Sequence, residues 1–576
     1  MKLKRSEAQS SARQFRLRGY WVVGALLLGA SGIVGRAVYM QVLSPQFFVD
    51  QGDERFMRNV KIPAHRGAIL DRSGEPIAVS TPVDTVWVVP KELATAADQF
   101  SVLAKELQRD EEWLARQVTS HLDTPYLVLA RQLQPDEADR IKALHLPGVY
   151  LQREYRRFYP AGEVTGHVLG FTGNDDQGQE GMELAFEQKL LGEPGLKRVI
   201  QDRMRRTVEN VESVRPARPG EDLITSIDLR IQYLAYRELK AAVRDFQARA
   251  GSAVVIDVRT GEILAMVDQP AFNPNDRAQF DVQRYRNRVE TDILEPGSSV
   301  KPFFVIAALA SGKFNASSVI DTSPGFIRVG NRVFEDEHNW GQMDFATILA
   351  KSSNVGMAHI ALALDRSAIW NTLSSLGFGQ VSATGFPGES AGVLTNYTHW
   401  GDVQVATMAH GYGMSVTPLQ LAQAYAVVGA LGVRRPLTLR RVDGVVPAGD
   451  RVLDAQVCRD AIHLLESVVL NGTGTKAAVR GYRVAGKTGT AWKAIPGGYS
   501  TNKYMAVFGG VVPASAPRFA MVVVIDDPSN GKYYGGDVAA PVFSAVMAGA
   551  LRLLAVPPDD LSRIPSASFV QSEVPR

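Results

Sequence analysis

A single cysteine, Cys458, among 576 residues excludes an internal disulfide, and no Cys/His cluster has metal-ligand spacing. Cys458 falls in 454–466, a helical pattern, and reads as a buried, inert thiol. A charge excess is also lacking. Sixty-three Lys and Arg face 60 Asp and Glu, a net +3, a balance that gives no argument for nucleic acid, whose binding would need a basic stripe. No internal repeat recurs. Charge is absent altogether from 19–35, and after Arg36 the apolar character continues to 43. A helix needs about 20 apolar residues to cross a bilayer, and a terminal arginine can reach the interface. Lys2, Lys4, Arg5, Arg13, Arg16 and Arg18 face one acid, Glu7, on the N-terminal side, which orients that flank to the cytoplasm. No convincing Ala-x-Ala cleavage site follows, so 19–43 reads as an uncleaved anchor rather than a signal peptide. It holds no cysteine for lipidation.

What is present is a large packed mass. Hydrophobic residues make up 45% and charged residues 21%, in a length that suits two or three domains. Segment 61–80 alternates apolar and polar residues around Asp71-Arg72-Ser73-Gly74 and predicts a hairpin. Segments 110–118 and 135–144 have helical periodicity with acidic starts. The basic, aromatic run 154–162 reads as a structural arginine network rather than a polyanion site. Near 220 the texture changes. Asp228 is placed to cap a helix toward 246. Runs 252–257 and 262–268 form a hairpin over Arg259-Thr260-Gly261, and 504–512 and 519–526 form a second strand pair. A last helix is expected over 540–554. These strands enclose a helical middle at 298–470, so one sheet is built from both ends of this half.

Ser298 and Lys301 form a Ser-x-x-Lys ahead of the apolar run 303–310. Two other copies, Ser500/Lys503 and Ser529/Lys532, sit among Gly, Pro and Asn and read as loops. One helical turn places Lys301 beside Ser298. Burial there lowers the lysine pKa, and a neutral lysine can accept the serine proton. The helix N-terminus favours the developing alkoxide. Pro302 has no N–H for the Ser298 carbonyl, which predicts a local distortion. Ser352-Ser353-Asn354 lies at a break between two apolar segments. Lys487-Thr488-Gly489 opens an edge-strand pattern in which glycine allows close backbone approach. Each motif alone is weak. In this order they supply a nucleophile, a lysine base, a second hydroxyl, an amide and a second cation: an acyl-serine enzyme without histidine.

The runs Glu-Pro-Gly-Ser-Ser-Val-Lys-Pro (295–302), Lys-Ser-Ser-Asn-Val-Gly (351–356) and Ala-Gly-Lys-Thr-Gly-Thr (485–490) resemble the class B penicillin-binding proteins, with a closer likeness to the division-specific FtsI type of Gram-negative bacteria. So do Arg66-Gly67, Asp71-Arg72, Arg157-Phe158-Tyr159-Pro160 and Gly181-Met182-Glu183. The resemblance implies an α/β (α+β) transpeptidase domain of serine β-lactamase type at 222–556, with a central antiparallel sheet flanked by helices. Before it would come a cytoplasmic tail at 1–18, the anchor at 19–43 and an elongated pedestal module at 44–221. A disordered tail would follow at 557–576. Ser298 would attack the penultimate D-Ala carbonyl of a stem peptide with Lys301 as base, while Ser352 and Lys487 relay the proton and Asn354 holds the substrate amide. Backbone N–H groups of Ser298 and Thr490 would form the oxyanion hole. Thr488, Gly489 and Thr490 would bind the substrate or a β-lactam, with Tyr412 at the rim. No metal or other cofactor is implied.

The implied setting is the bacterial inner membrane at the division site, with the catalytic domain in the periplasm. Implied partners are an FtsW-type glycan polymerase and FtsQ-, FtsL-, FtsB- and FtsN-type division proteins. An elongation-type transpeptidase and a D,D-carboxypeptidase share these motifs. A β-lactamase or β-lactam sensor fits less well, because no Glu-x-x-Leu-Asn loop is present and segment 44–221 would be unexplained.

Overall fold

The computed structural model describes residues 3–43, 57–201, 207–276 and 282–560. Contacts group the chain into two compact units: 1–64, 83–154 and 193–218 form the first, and 65–82, 155–192 and 219–576 the second. Parts of the expected pedestal (44–56 and 202–206) and most of the expected tail (561–576) lie outside the described residues.

In the first unit, no proline interrupts the N-terminal segment, and one helix runs Leu3–Val38, through the expected 1–18 tail, before a π-helical turn at Tyr39–Leu43. Its portion Arg16–Val42 is long and apolar enough to cross a membrane and is not buried in the protein. Strands Met57–Ile62, Gly195–Gln201 and Thr207–Arg215 form an antiparallel sheet. A separate small core gathers Val86, Leu93, Phe100, Leu103, Leu114, Val118 and Ile141. The expected helices are Glu111–Ser120 and Pro135–Ala143.

The second unit is organised by a five-stranded antiparallel sheet. Its strands are β1 (Ala250–Asp257), β2 (Ile263–Gln269), β3 (Ala485–Ile495), β4 (Gly498–Val512) and β5 (Phe519–Asp526), in the order β2-β1-β5-β4-β3. The two ends of the sequence therefore meet at β1 and β5, and β3 is an edge. Side chains alternate between two cores. Ala253, Val255, Met521 and Val523 face α1 (Leu229–Asp245) and α7 (Ala540–Leu553). Val254, Ile256, Val522 and Val524 face the core of α2 (Lys301–Ala310), α5 (Pro418–Gly429) and α6 (Ala455–Asn471). Burial on both faces explains why β1 and β5 read as apolar runs without polar alternation. Between α2 and α5 lie α3 (Phe345–Lys351) and α4 (Asn354–Leu362). Asp228 caps α1 by accepting from the Arg230 N–H at 3.1 Å. Ser500 is not in a loop: it sits on β4, whose pairing with β3 extends past the predicted start at 504.

The 154–162 run contributes to an ion cluster. The Glu183 carboxylate, fully buried, accepts from Arg66 Nε at 2.8 Å and Arg157 Nε at 2.6 Å, both equally buried. Arg157 Nη1 also donates to the Gly67 carbonyl at 2.8 Å. A Cβ at Gly67 would stand 2.1 Å from the Glu221 carbonyl oxygen, so the turn admits only glycine. A buried carboxylate between two guanidiniums cannot be removed without leaving uncompensated charge. Glu183→Gln is expected to lower stability by about 3–5 kcal/mol, read from the denaturant midpoint of the second unit. A loss below about 1 kcal/mol, the size of an exposed pair, would refute the structural role.

Candidate active site

Ser298 sits in a 3-10 turn, Gly297–Val300, rather than in the α-helix that follows. The cause is the predicted one. Pro302 cannot donate to the Ser298 carbonyl, and the Lys301 N–H takes that place one residue earlier. Gly297 has φ +53, a region that favours glycine, and its N–H donates to the Gly411 carbonyl at 3.1 Å. Ser298 is half-buried and opens onto a cavity of ≈ 530 Å³ that it lines with Ser352, Asn354, Thr488 and Thr490.

Lys301 and Lys487 lie behind these residues with no exposure. Lys301 Nζ donates to the Ser352 carbonyl at 2.6 Å, Asn354 Oδ1 at 2.8 Å and the Ser353 carbonyl at 3.2 Å, with Ser352 Oγ at 3.3 Å. Lys487 Nζ donates to Ser352 Oγ at 3.1 Å and to the Thr488 carbonyl at 3.1 Å. The Ser352 hydroxyl thus stands between two amines carried by segments far apart in sequence. Burial pushes Lys301 down to about 7, against the Asp336 carboxylate, which favours the charged form. Burial, reinforced by the Lys301 charge, holds Lys487 well below the ordinary lysine range. Two close, desolvated amines cannot both stay protonated at neutral pH, so one proton is readily moved within the group.

Ser352 reaches this position because it ends α3 in the left-handed region, at φ +59. Ser353 then caps α4, accepting from the Gly356 N–H at 2.9 Å. Asp336, which no sequence motif marks, holds this junction. Its carboxylate accepts from the N–H groups of Asn354 and Val355 and from the Ser353 hydroxyl. Asn354 Nδ2 donates to the Glu335 carbonyl at 3.2 Å, leaving Oδ1 to Lys301.

On the other side, β3 presses against the Ser298 turn. A Cβ at Gly489 would meet the Pro296 carbonyl oxygen at 2.7 Å and Ser299 Cβ at 3.1 Å. Thr488 Oγ1 and Thr473 Oγ1 share a hydrogen bond at 2.7 Å, and Thr490 Oγ1 accepts from the Gly535 N–H at 3.1 Å. Tyr412 does not line the cavity. It packs beside Trp492 and Tyr499 and accepts from the Trp492 N–H at 3.1 Å. Tyr534, Thr475, Lys476 and Trp340 line the cavity and were not expected, since they lie outside the three motifs. His410 stacks on Phe334 at 4.9 Å, and burial, with the Lys301 charge, pushes it down to about 3. It therefore stays neutral at physiological pH.

Lys301 loses its proton as pH rises through about 7, so Ser298 reactivity toward an acylating ester should rise from pH 6 to 8. Asp336→Asn removes a charge that favours the protonated lysine, so the acidic limb of the pH–rate profile should move to lower pH while the maximal rate falls. An unshifted limb would sever Asp336 from Lys301.

A family model described as penicillin binding protein transpeptidase domain matches residues 251–548, and one described as penicillin-binding protein dimerisation domain matches 61–225. The chain is 44% identical over 575 residues to the peptidoglycan D,D-transpeptidase FtsI of Escherichia coli (strain K12), covering 99% of this chain and 97% of that one. It is 40% identical over 559 residues to the probable peptidoglycan D,D-transpeptidase PbpC of Pseudomonas aeruginosa, covering 97% and 99%. Among solved structures, the apo transpeptidase domain of penicillin-binding protein 3 from Burkholderia pseudomallei matches with a TM-score of 0.54 at 40% identity, covering 58% of this chain and 97% of that one. With both family models in order and the relatives matched end to end, the chain belongs to the penicillin-binding proteins, as a peptidoglycan D,D-transpeptidase of the FtsI type.

Proposed function

We propose that this D,D-transpeptidase cross-links stem peptides at the division septum through an acyl-Ser298 intermediate, and that β-lactams acylate the same hydroxyl. The observation that carries the reading is the Ser352 hydroxyl held between the two buried lysines, beside the cavity that Ser298 lines. Neutral Lys301 takes the Ser298 proton as Oγ bonds to the carbonyl carbon of the penultimate D-Ala. The negative charge gathers on the carbonyl oxygen, toward the backbone N–H groups of Ser298 and Thr490. The close packing of Gly297 and Gly489 across this junction supports that pairing. As the tetrahedral adduct collapses, the C–N bond breaks and the departing D-Ala amine receives a proton from Ser352, which Lys301 or Lys487 replaces. An amine of a neighbouring stem then attacks the ester, its proton returns to Ser298, and the cross-link forms. Thr488 and Thr490 would hold the substrate carboxylate and Asn354 its amide.

The helix at Arg16–Val42 would anchor the chain in the inner membrane with its basic flank in the cytoplasm and the second unit in the periplasm. Segment 44–221 would act as the pedestal, and the anchor would dock beside an FtsW-type polymerase. A fluorescent fusion at midcell rather than along the side wall separates this from an elongation role.

Ser298→Ala is expected to abolish covalent labelling by a fluorescent penicillin while leaving the melting temperature unchanged. Labelling that persists there but disappears in Ser500→Ala or Ser529→Ala would move the nucleophile elsewhere. Lys301→Arg should slow acylation about as much as Lys301→Ala, by roughly 10²–10⁴-fold, because a guanidinium does not deprotonate near neutral pH. An acylation rate equal to the parent would remove Lys301 as base. Replacing 19–43 by an unrelated transmembrane helix should leave labelling intact and abolish septation, if Gly24, Gly29, Ala30 and Gly32 make helix–helix contacts. Full rescue by that chimaera would reduce the anchor to a tether.

A further inference from the structure

On the second unit, away from the Ser298 cavity and sharing none of its lining residues, lies another cavity of ≈ 470 Å³. Its floor is apolar: Val258 at the end of β1, Leu431 after α5, Ile462 of α6, and Ala514 in the β4–β5 turn. Its rim is cationic, with Arg259, Arg435, Arg459 and Arg483 contributed by four separate segments. Among the described residues, Arg483 alone of these four is held in an ion pair. Arg483 grips Glu466 through two bonds, Nε to Oε2 at 2.8 Å and Nη2 to Oε1 at 2.7 Å. The nearby acid Asp559 is engaged by the Ser515 hydroxyl at 2.7 Å and the Arg483 backbone N–H at 2.7 Å. Arg459 Nε donates to an amide, Gln456 Oε1, at 3.0 Å, and Arg435 Nη1 to the Val258 carbonyl at 3.3 Å. Arg435 Nε is buried and has no hydrogen-bond partner among the described residues. Buried donors are almost always satisfied, and this unsatisfied one belongs to a guanidinium that lines the cavity. Leu431 at the same wall is held at φ +52, a costly conformation for a branched residue.

We propose that this cavity binds a small carboxylate with a compact apolar body. Planar guanidinium forks match a carboxylate in two-point geometry, and the three that form no ion pair with a described residue supply the charge. The apolar floor takes the body, and the volume is that of a small-molecule site. A bare anion such as inorganic phosphate satisfies the arginines but leaves the floor unfilled. A neutral ligand of the same shape fills the floor but brings no charge to the arginines.

The test uses the detergent-solubilised full chain with Ser298 already acylated by penicillin, so that the catalytic cavity is blocked. The probe is 4-(trifluoromethyl)benzoate, followed by fluorine NMR line broadening and corrected against empty micelles. Saturable binding is expected. The corresponding benzamide should not compete, and inorganic phosphate should compete at least about tenfold more weakly. The double variant Arg435→Gln/Arg459→Gln should weaken binding about tenfold or more while keeping the parent rate of penicillin acylation, which shows that the fold is intact. Failure to saturate, competition by the benzamide, phosphate competing as well as the benzoate, or undiminished binding to the double variant would each overturn the proposal. None of these outcomes bears on whether Ser298 is the nucleophile.

Discussion

Two lysines stripped of water around one serine oxygen are the constraint on which the rest of the site depends. An ammonium is stable in water, so each lysine must be carried inward by surroundings whose own burial outweighs that penalty. Lys301 is carried by α2, whose next eight residues are all fully or nearly fully buried. Lys487 is carried by β3, paired to β4 along its length. Ser352 is brought between them by the left-handed residue that ends α3. If any one of these supports loosened, water would reach the amines and their pKa values would return toward the ordinary lysine range.

The sheet explains why such a site can be stiff. All five strands are antiparallel, and β1 and β5 are covered on both faces. The edge strand β3 is therefore backed by a solid layer, and its other side presses against the Ser298 turn. Asp336 performs the matching task on the opposite wall, where it satisfies the first N–H groups of α4. Without it those donors would compete for the acceptors that orient Lys301. The carboxylate both fixes the junction and raises the proton affinity of the lysine, so structure and reactivity are linked through one group.

The ion cluster of Arg66, Arg157 and Glu183 shows a different use of burial. Its buried guanidiniums face carboxylates, whereas burial lowers the proton affinity of both lysines, Lys301 to about 7. The difference lies in the partners. A carboxylate between guanidiniums compensates the loss of water, while carbonyl and hydroxyl oxygens around an amine do so only in part.

The sequence by itself determined the order and type of the elements that carry chemistry: the apolar run behind Lys301, the break at Ser352, the edge strand at Lys487 and the two strand pairs that share one sheet. These were legible because periodicity, turn residues and a proline act locally. The distortion at Ser298 was legible for the same reason, since a missing N–H is a property of one residue. Only the tertiary structure decided that Asp336 clamps the α3–α4 junction, that Tyr412 lies beside the cavity wall rather than in it, that Ser500 belongs to a strand, and that 65–82 and 155–192 group with the C-terminal half. Each of these depends on contacts between residues far apart in the chain. An aspartate in a loop carries no local mark of the helix it will cap, and the burial that shifts a lysine exists only once distant segments have closed over it.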